Sequence, residues 1–176
     1  HADGAFKRTY FNGTIGSDKT PHVFKMATPN IVDNFLEVNV RDMMFSDLLC
    51  NAFGRNVLAE FNKVLKRDKI RVGSNVPRIA ESRVFEPMNP EDKRVYAQLL
   101  NRSQIWIVEP FVGANFGKFT SNDGTIKLNN FSTKQQKMAE AFQHFSIHFT
   151  KRKAMICDIQ GCDKYWTDLQ VLTAER

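Results

Sequence analysis

The residues best suited to chemistry lie near the end of the chain, in Met155-Ile-Cys-Asp-Ile-Gln-Gly-Cys-Asp-Lys-Tyr-Trp-Thr-Asp168. Ala154 to Cys157 is a short apolar run that predicts a buried strand, and Gly161 lets the chain turn soon afterwards. Asp158 and Gln160 therefore emerge at a strand end, and the return segment brings Thr167 and Asp168 back. Two carboxylates and an amide are oxygen donors of the kind a hard cation such as Mg²⁺ prefers, and an oriented carboxylate is what a phosphoryl acceptor requires. The bland reading of the same residues is an Asp-Gly turn with solvated acids.

A second candidate is Lys25, inside the apolar stretch Val23-Phe-Lys-Met26. An inward lysine on a strand needs an anionic partner, either a carboxylate or a phosphate. Glu60, on the following helix, is the expected carboxylate, giving the strand-lysine to helix-glutamate pairing that positions nucleotide phosphates. Upstream, Gly4 could admit a phosphate and Arg8 could bind it. The alternative for Lys25 is the solvent face of an edge strand.

These residues need elements to position them. Ala5 to Phe11 and His22 to Ala27 predict two strands joined by a turn-rich segment. Apolar residues from Met44 to Leu65 recur at helical spacing, with Gly54 as a point of division or kinking. Lys69 to Val72 is a short strand candidate, Ser82 to Pro87 another, and Ile105 to Phe111 an apolar strand ending at proline. Phe111 to Asn130 is loop-like. Ser132-Thr-Lys-Gln135 has the capping-box form, so a helix is expected from about Thr133 to His148. The pattern predicts one compact α+β domain over residues 1–176 with two lobes, about 1–107 and 108–176.

Bulk properties agree with such a domain. The 176 residues carry 25 basic and 19 acidic side chains, a net charge of +6 that suits an anionic ligand but falls short of a nucleic-acid arm. Fifteen Phe against three Tyr points to a core of large apolar rings. No apolar run approaches membrane-spanning length, and three cysteines without CxxC spacing suit a reducing compartment. The expectation is a soluble, intracellular and cytoplasmic protein.

Taken in order, the motifs resemble the alpha-kinase family of atypical Ser/Thr protein kinases. The family pattern Ala-Phe-Ser-His-Phe-Thr, then Asp-Leu/Ile-Gln-Gly, then Thr-Asp-Pro is matched by Ala141-Phe-Gln-His-Phe-Ser146, Asp158-Ile-Gln-Gly161 and Thr167-Asp-Leu169. Gly4 and Arg8 resemble its glycine loop, Phe24-Lys25 its nucleotide lysine and Glu60-Phe-Asn62 its helix motif. Glu109-Pro-Phe111 with Phe119 to Gly124 resembles its hinge and following loop. The resemblance implies ATP and Mg²⁺ as cofactors and a protein substrate bearing a Ser or Thr acceptor. Lys25 would bind phosphates with help from Arg8, and Glu109 with the backbone near Phe111 would hold adenine. Asp158 would be the catalytic acid; Gln160 and Asp168 would serve Mg²⁺ and substrate positioning, with Asn122 nearby and Thr167 close to the transferred group. The division of roles between Asp158 and Asp168 stays open.

Two departures stand out. Leu169 replaces the proline after Thr-Asp, and the family's glycine-rich loop and His-x-Cys-x-x-x-Cys zinc cluster are absent, so His144 is the one match to a zinc ligand. A C-terminally shortened fragment and an inactive ATP-binding scaffold are both compatible with this. His144 and His148, four apart, would share a helical face, but no acid lies between them as a metallohydrolase would need. The basic clusters Lys63 to Arg71 and Lys151 to Lys153 leave RNA binding as a remoter alternative, without an RNP-like or GXXG pattern to support it.

Overall fold

A computed structural model of the chain describes residues 2–3, 7–15, 17–27, 37–72, 76–86, 105–113, 115–126, 133–162 and 164–174. The chain forms two compact units, His1–Leu48 with Glu81–Phe111, and Leu49–Ala80 with Val112–Arg176. They differ from the expected contiguous lobes because residues 49–80 belong with the C-terminal part. The reason is apolar: Val57, Leu58, Phe61, Leu65 and Ile79 are buried in one core with Phe142, Ile156, Trp166 and Leu169.

The first unit holds a five-stranded antiparallel sheet of β1 (Ala2–Asp3), β2 (Lys7–Ile15), β3 (Asp18–Ala27), β5 (Arg83–Phe85) and β6 (Trp106–Pro110), in the order β1-β2-β3-β6-β5. Strand β6 reads as a continuous apolar run because both of its faces are covered. Trp106 and Val108 pack with Met26, Tyr10 and Phe24, whereas Ile105 and Ile107 pack with Met44, Met43, Leu48 and Val84. That alternation is the period of two expected of a strand. The β2–β3 hairpin is tighter than the sequence suggests, since pairing continues to Ile15 and Asp18.

A single helix, α1 (Glu37–Arg67), runs unbroken through Gly54. Its end also overturns the expected strand at Lys69 to Val72. Lys69 adopts a left-handed φ of 52°, and the Ile70 amide bonds back to the Leu65 carbonyl at 2.9 Å, so the chain is spent closing the helix terminus.

In the second unit, β4 (Arg78–Ile79), β10 (Tyr165–Thr167), β9 (Gln160–Gly161) and β7 (Gly117–Lys118) form one sheet, while β8 (Ala154–Cys157) pairs with β11 (Gln170–Thr173). Helix α2 (Thr133–Phe149) buries Met138, Ala139 and Phe142, and the Phe142 ring stacks on Trp166 at 5.3 Å. The buried Ser146 hydroxyl accepts the Ile156 amide hydrogen at 2.9 Å, which joins α2 to β8 ahead of the acidic turn.

Candidate active site

In the first unit, Lys25 is 5% exposed and Glu109 is 3% exposed. The Lys25 ammonium donates to Glu109 Oε2 at 2.6 Å, and the Ser82 hydroxyl donates to Glu109 Oε1 at 2.6 Å. Register explains the pairing: Lys25 faces Ile107 across the β3–β6 ladder, which leaves Glu109 diagonally opposite and within a lysine's reach. The carboxylate against Lys25 is thus Glu109. Glu60 instead accepts from Lys63 at 2.6 Å on an exposed face of α1, which corrects the expected pairing. Ser82, immediately before the neighbouring strand β5, belongs to no motif that marks it in the sequence.

The Phe111 amide, expected to face a base, is committed to the Pro21 carbonyl at 2.8 Å. What Phe111 presents is its ring, 36% exposed and edge-on to Phe11 at 6.2 Å. Gly4 lies outside the described residues, and of Arg8 the backbone alone is described, opposite Met26.

In the second unit, the β8–β11 and β9–β10 ladders belong to one interrupted hairpin. Cys157 faces Gln170 before the gap and Gln160 faces Thr167 after it in the same register, so Asp158-Ile159 lies opposite Asp168-Leu169. At the gap both acids are left-handed, with φ of 53° at Asp158 and 56° at Asp168. Non-glycine residues held in this region cost about 1–3 kcal/mol each, and such strain gathers at functional sites. Ile159 and Leu169 go into the core. Gly161, at φ 139°, closes the hairpin where a Cβ would collide with the Tyr165 carbonyl oxygen.

Asp158 is 7% exposed. Lys118, also unforeseen, ion-pairs with its Oδ1, and Gln160 Nε2 donates to Oδ2 at 3.1 Å. The Asp158 amide bonds to the Ser121 carbonyl at 3.1 Å, which ties the acid to the 121–125 turn. Asn122 in that turn is exposed, and its carbonyl accepts from the buried Cys157 thiol at 3.3 Å. Burial, followed by the neighbouring Asp158 charge, pushes the Cys157 thiol up to about 11. Thr167 is buried on β10 opposite Gln160, and Asp168 is half-buried.

The structure therefore brings Asp158, Gln160 and Lys118 into direct contact and sets Thr167 on the facing strand with Asp168 in the gap after it. His144 is exposed on α2. Among the described residues no group of three or more His, Cys, Asp or Glu side chains is gathered to hold a metal, so none assembles around His144. No helix among them is long and apolar enough to cross a membrane.

Residues 2–176 match the model of the alpha-kinase family. Myosin heavy chain kinase C of Dictyostelium discoideum is 25% identical over 166 residues, covering 90% of this chain and 18% of that protein. Myosin heavy chain kinase A of the same organism is 37% identical over 68 residues, covering 39% and 5%. The chain thus spans less than a fifth of the length of these relatives. Among solved structures, the alpha-kinase domain of myosin-II heavy chain kinase A in complex with AMP-PNP superposes with a TM-score of 0.67 at 20% identity, covering 98% of this chain and 70% of that one. A novel alpha kinase from Entamoeba histolytica superposes with a TM-score of 0.71 at 21% identity, covering 99% and 62%. At these identities the structures establish a shared α+β fold.

Proposed function

The chain belongs to the alpha-kinase family, and from that premise we propose that it transfers the γ-phosphoryl group of ATP to Ser or Thr hydroxyls of a protein substrate. The observation that carries the reading is Asp158: a buried carboxylate in Asp158-Ile-Gln-Gly161, held left-handed at a break in a hairpin and fixed by an ion pair with Lys118 and a hydrogen bond from Gln160.

Within the first unit, Lys25 is the cation for the nucleotide phosphates. Glu109 orients that ammonium, rather than meeting adenine itself, since its two oxygens are engaged by Lys25 and Ser82. The exposed Phe111 ring, with Phe11 beside it, offers the base an apolar surface. Arg8 and Gly4 keep the supporting phosphate-binding roles that the family pattern implies.

Within the second unit, Asp158 accepts the hydrogen bond of the acceptor hydroxyl and orients it for in-line attack. Lys118 pairs with Asp158 Oδ1 and Gln160 donates to Oδ2, so the two side chains together hold the carboxylate plane. Asp158, Gln160 and Asp168 carry the oxygen atoms that would hold Mg²⁺, and the Lys118 ammonium already sets a positive charge against Asp158. When bound, Mg²⁺ would neutralise the charge on the phosphates. Thr167, buried on the strand facing Gln160, keeps the place close to the transferred group that the family pattern implies. We place the protein in the cytoplasm, where ATP and reduced thiols coexist.

The test is Mg²⁺-dependent transfer of labelled γ-phosphate from ATP to a basic protein and to the chain itself. The expected product is phosphoserine or phosphothreonine. ATP binding without transfer would make the chain a scaffold and overturn the proposal.

A further inference from the structure

Asn51 sits where the packing of α1 asks for a hydrophobe. The helix buries a stripe at 51, 54, 58, 61 and 65, the spacing of an apolar face, and Leu58, Phe61 and Leu65 fill its lower part. At its head stands Asn51, 2% exposed. A buried amide is costly unless it is hydrogen-bonded, so its presence calls for a partner. The Asn51 Oδ1 accepts the Leu169 amide hydrogen at 3.3 Å, from a residue 118 positions away.

One turn further along the helix, Gly54 completes the arrangement. A Cβ there would overlap the Leu169 side chain, which is 1% exposed, and would also crowd Ile79. Leu169 is therefore gripped twice, by its amide at Asn51 and by its side chain over Gly54. The residue before it is Asp168, held at φ 56°. Fixing the amide of residue 169 fixes the peptide plane that leaves Asp168, and so helps define its ψ. The Thr-Asp-Pro pattern has a proline at this point and therefore no amide hydrogen; Leu169 has one, and Asn51 takes it.

We propose that Asn51 and Gly54 form a socket for Leu169 that holds Asp168 in its left-handed conformation, which makes both of them positioning residues for that acid. The catalytic consequence rests on the kinase reading above.

The experiment compares the full chain with Asn51→Ala, Gly54→Ala and Leu65→Val by amide hydrogen exchange and by transfer kinetics. Leu65→Val lowers core stability without touching the socket. In Asn51→Ala the Leu169 amide is expected to exchange at least about tenfold faster while amides along the rest of α1 keep their protection. The rate constant kcat should fall about tenfold in Asn51→Ala and Gly54→Ala, with the KM for ATP unchanged, and should hold in Leu65→Val. Unchanged Leu169 exchange in Asn51→Ala overturns the socket. Faster exchange with unchanged kcat overturns the positioning role, as does a kcat that falls equally in Leu65→Val. A wild-type chain that transfers nothing fails the kinase reading instead; the socket is then decided by Leu169 exchange alone.

Discussion

Each unit presents an acid against a lysine, and the two pairs are built differently. Lys25 and Glu109 are sealed, with side chains 6% and 3% exposed, on regular antiparallel strands. Lys118 and Asp158 are 39% and 10% exposed, and the acid sits in a left-handed break between two ladders. The first pair has given up solvent, so either partner alone would be a stranded charge. The second keeps its cation open to water and carries its cost in the backbone. A sealed pair fixes its ammonium at one position, as the phosphate-binding role proposed for Lys25 requires. An open pair on a strained turn leaves a carboxylate that can exchange its counter-charge, which is what the role proposed for Asp158 requires.

The largest effect should come from breaking the sealed pair. Lys25→Ala strands Glu109 and is expected to lower unfolding stability by about 3–5 kcal/mol, whereas Lys118→Ala should cost about 1 kcal/mol or less. Urea denaturation checks both, and equal costs would erase the contrast.

Backbone strain sharpens it next. Asp158→Gly should be more stable than Asp158→Ala by about 1–2 kcal/mol, because both lack the carboxylate and only alanine is penalised in the left-handed region. At Glu109, inside a strand, the order should invert, with glycine the worse by about 0.5–1 kcal/mol. Thermal or chemical unfolding of the four variants gives the comparison directly.

The thiol beside Asp158 supplies a pH test. The native state keeps the Cys157 proton up to about 11, whereas an ordinary thiol releases it near 9.0. The native state then binds more protons across that window, so this group's contribution is intact below pH 9 and lost as pH rises through 11. Cys157→Ala should flatten that part of the stability profile, and wild-type Cys157 should resist alkylation at pH 8.

The smallest effect is expected at Glu60→Ala. Its partner Lys63 is 71% exposed, so stability should change by less than about 0.5 kcal/mol. ATP affinity should also stay at the wild-type value, since the Lys25 partner is Glu109.

Local pattern made much of this legible. Helical spacing located the two helices among the described residues, and the apolar run before Asp158 predicted β8 from Ala154 to Cys157 as it stands. The ordered motifs identified the family over nearly the whole chain. What escaped depends on register and on long-range packing. Sequence order points to the next helix for the Lys25 partner, but the diagonal of the β3–β6 ladder decides it. Lys118 and Ser82 carry no motif and acquire their roles from strands that pair far along the chain. The left-handed acids could not be foreseen, because strain at a non-glycine residue leaves no mark in composition. Gly54 reads as a helix breaker in one dimension and proves to be a contact surface in three.

The most direct test of the account is to measure nucleotide affinity and phosphoryl transfer together in wild type, Lys25→Ala and Asp158→Asn. The account predicts that Lys25→Ala loses ATP affinity and transfer alike, while Asp158→Asn binds ATP near the wild-type affinity yet loses transfer by about a hundredfold or more. Wild-type transfer rates in Asp158→Asn would contradict it.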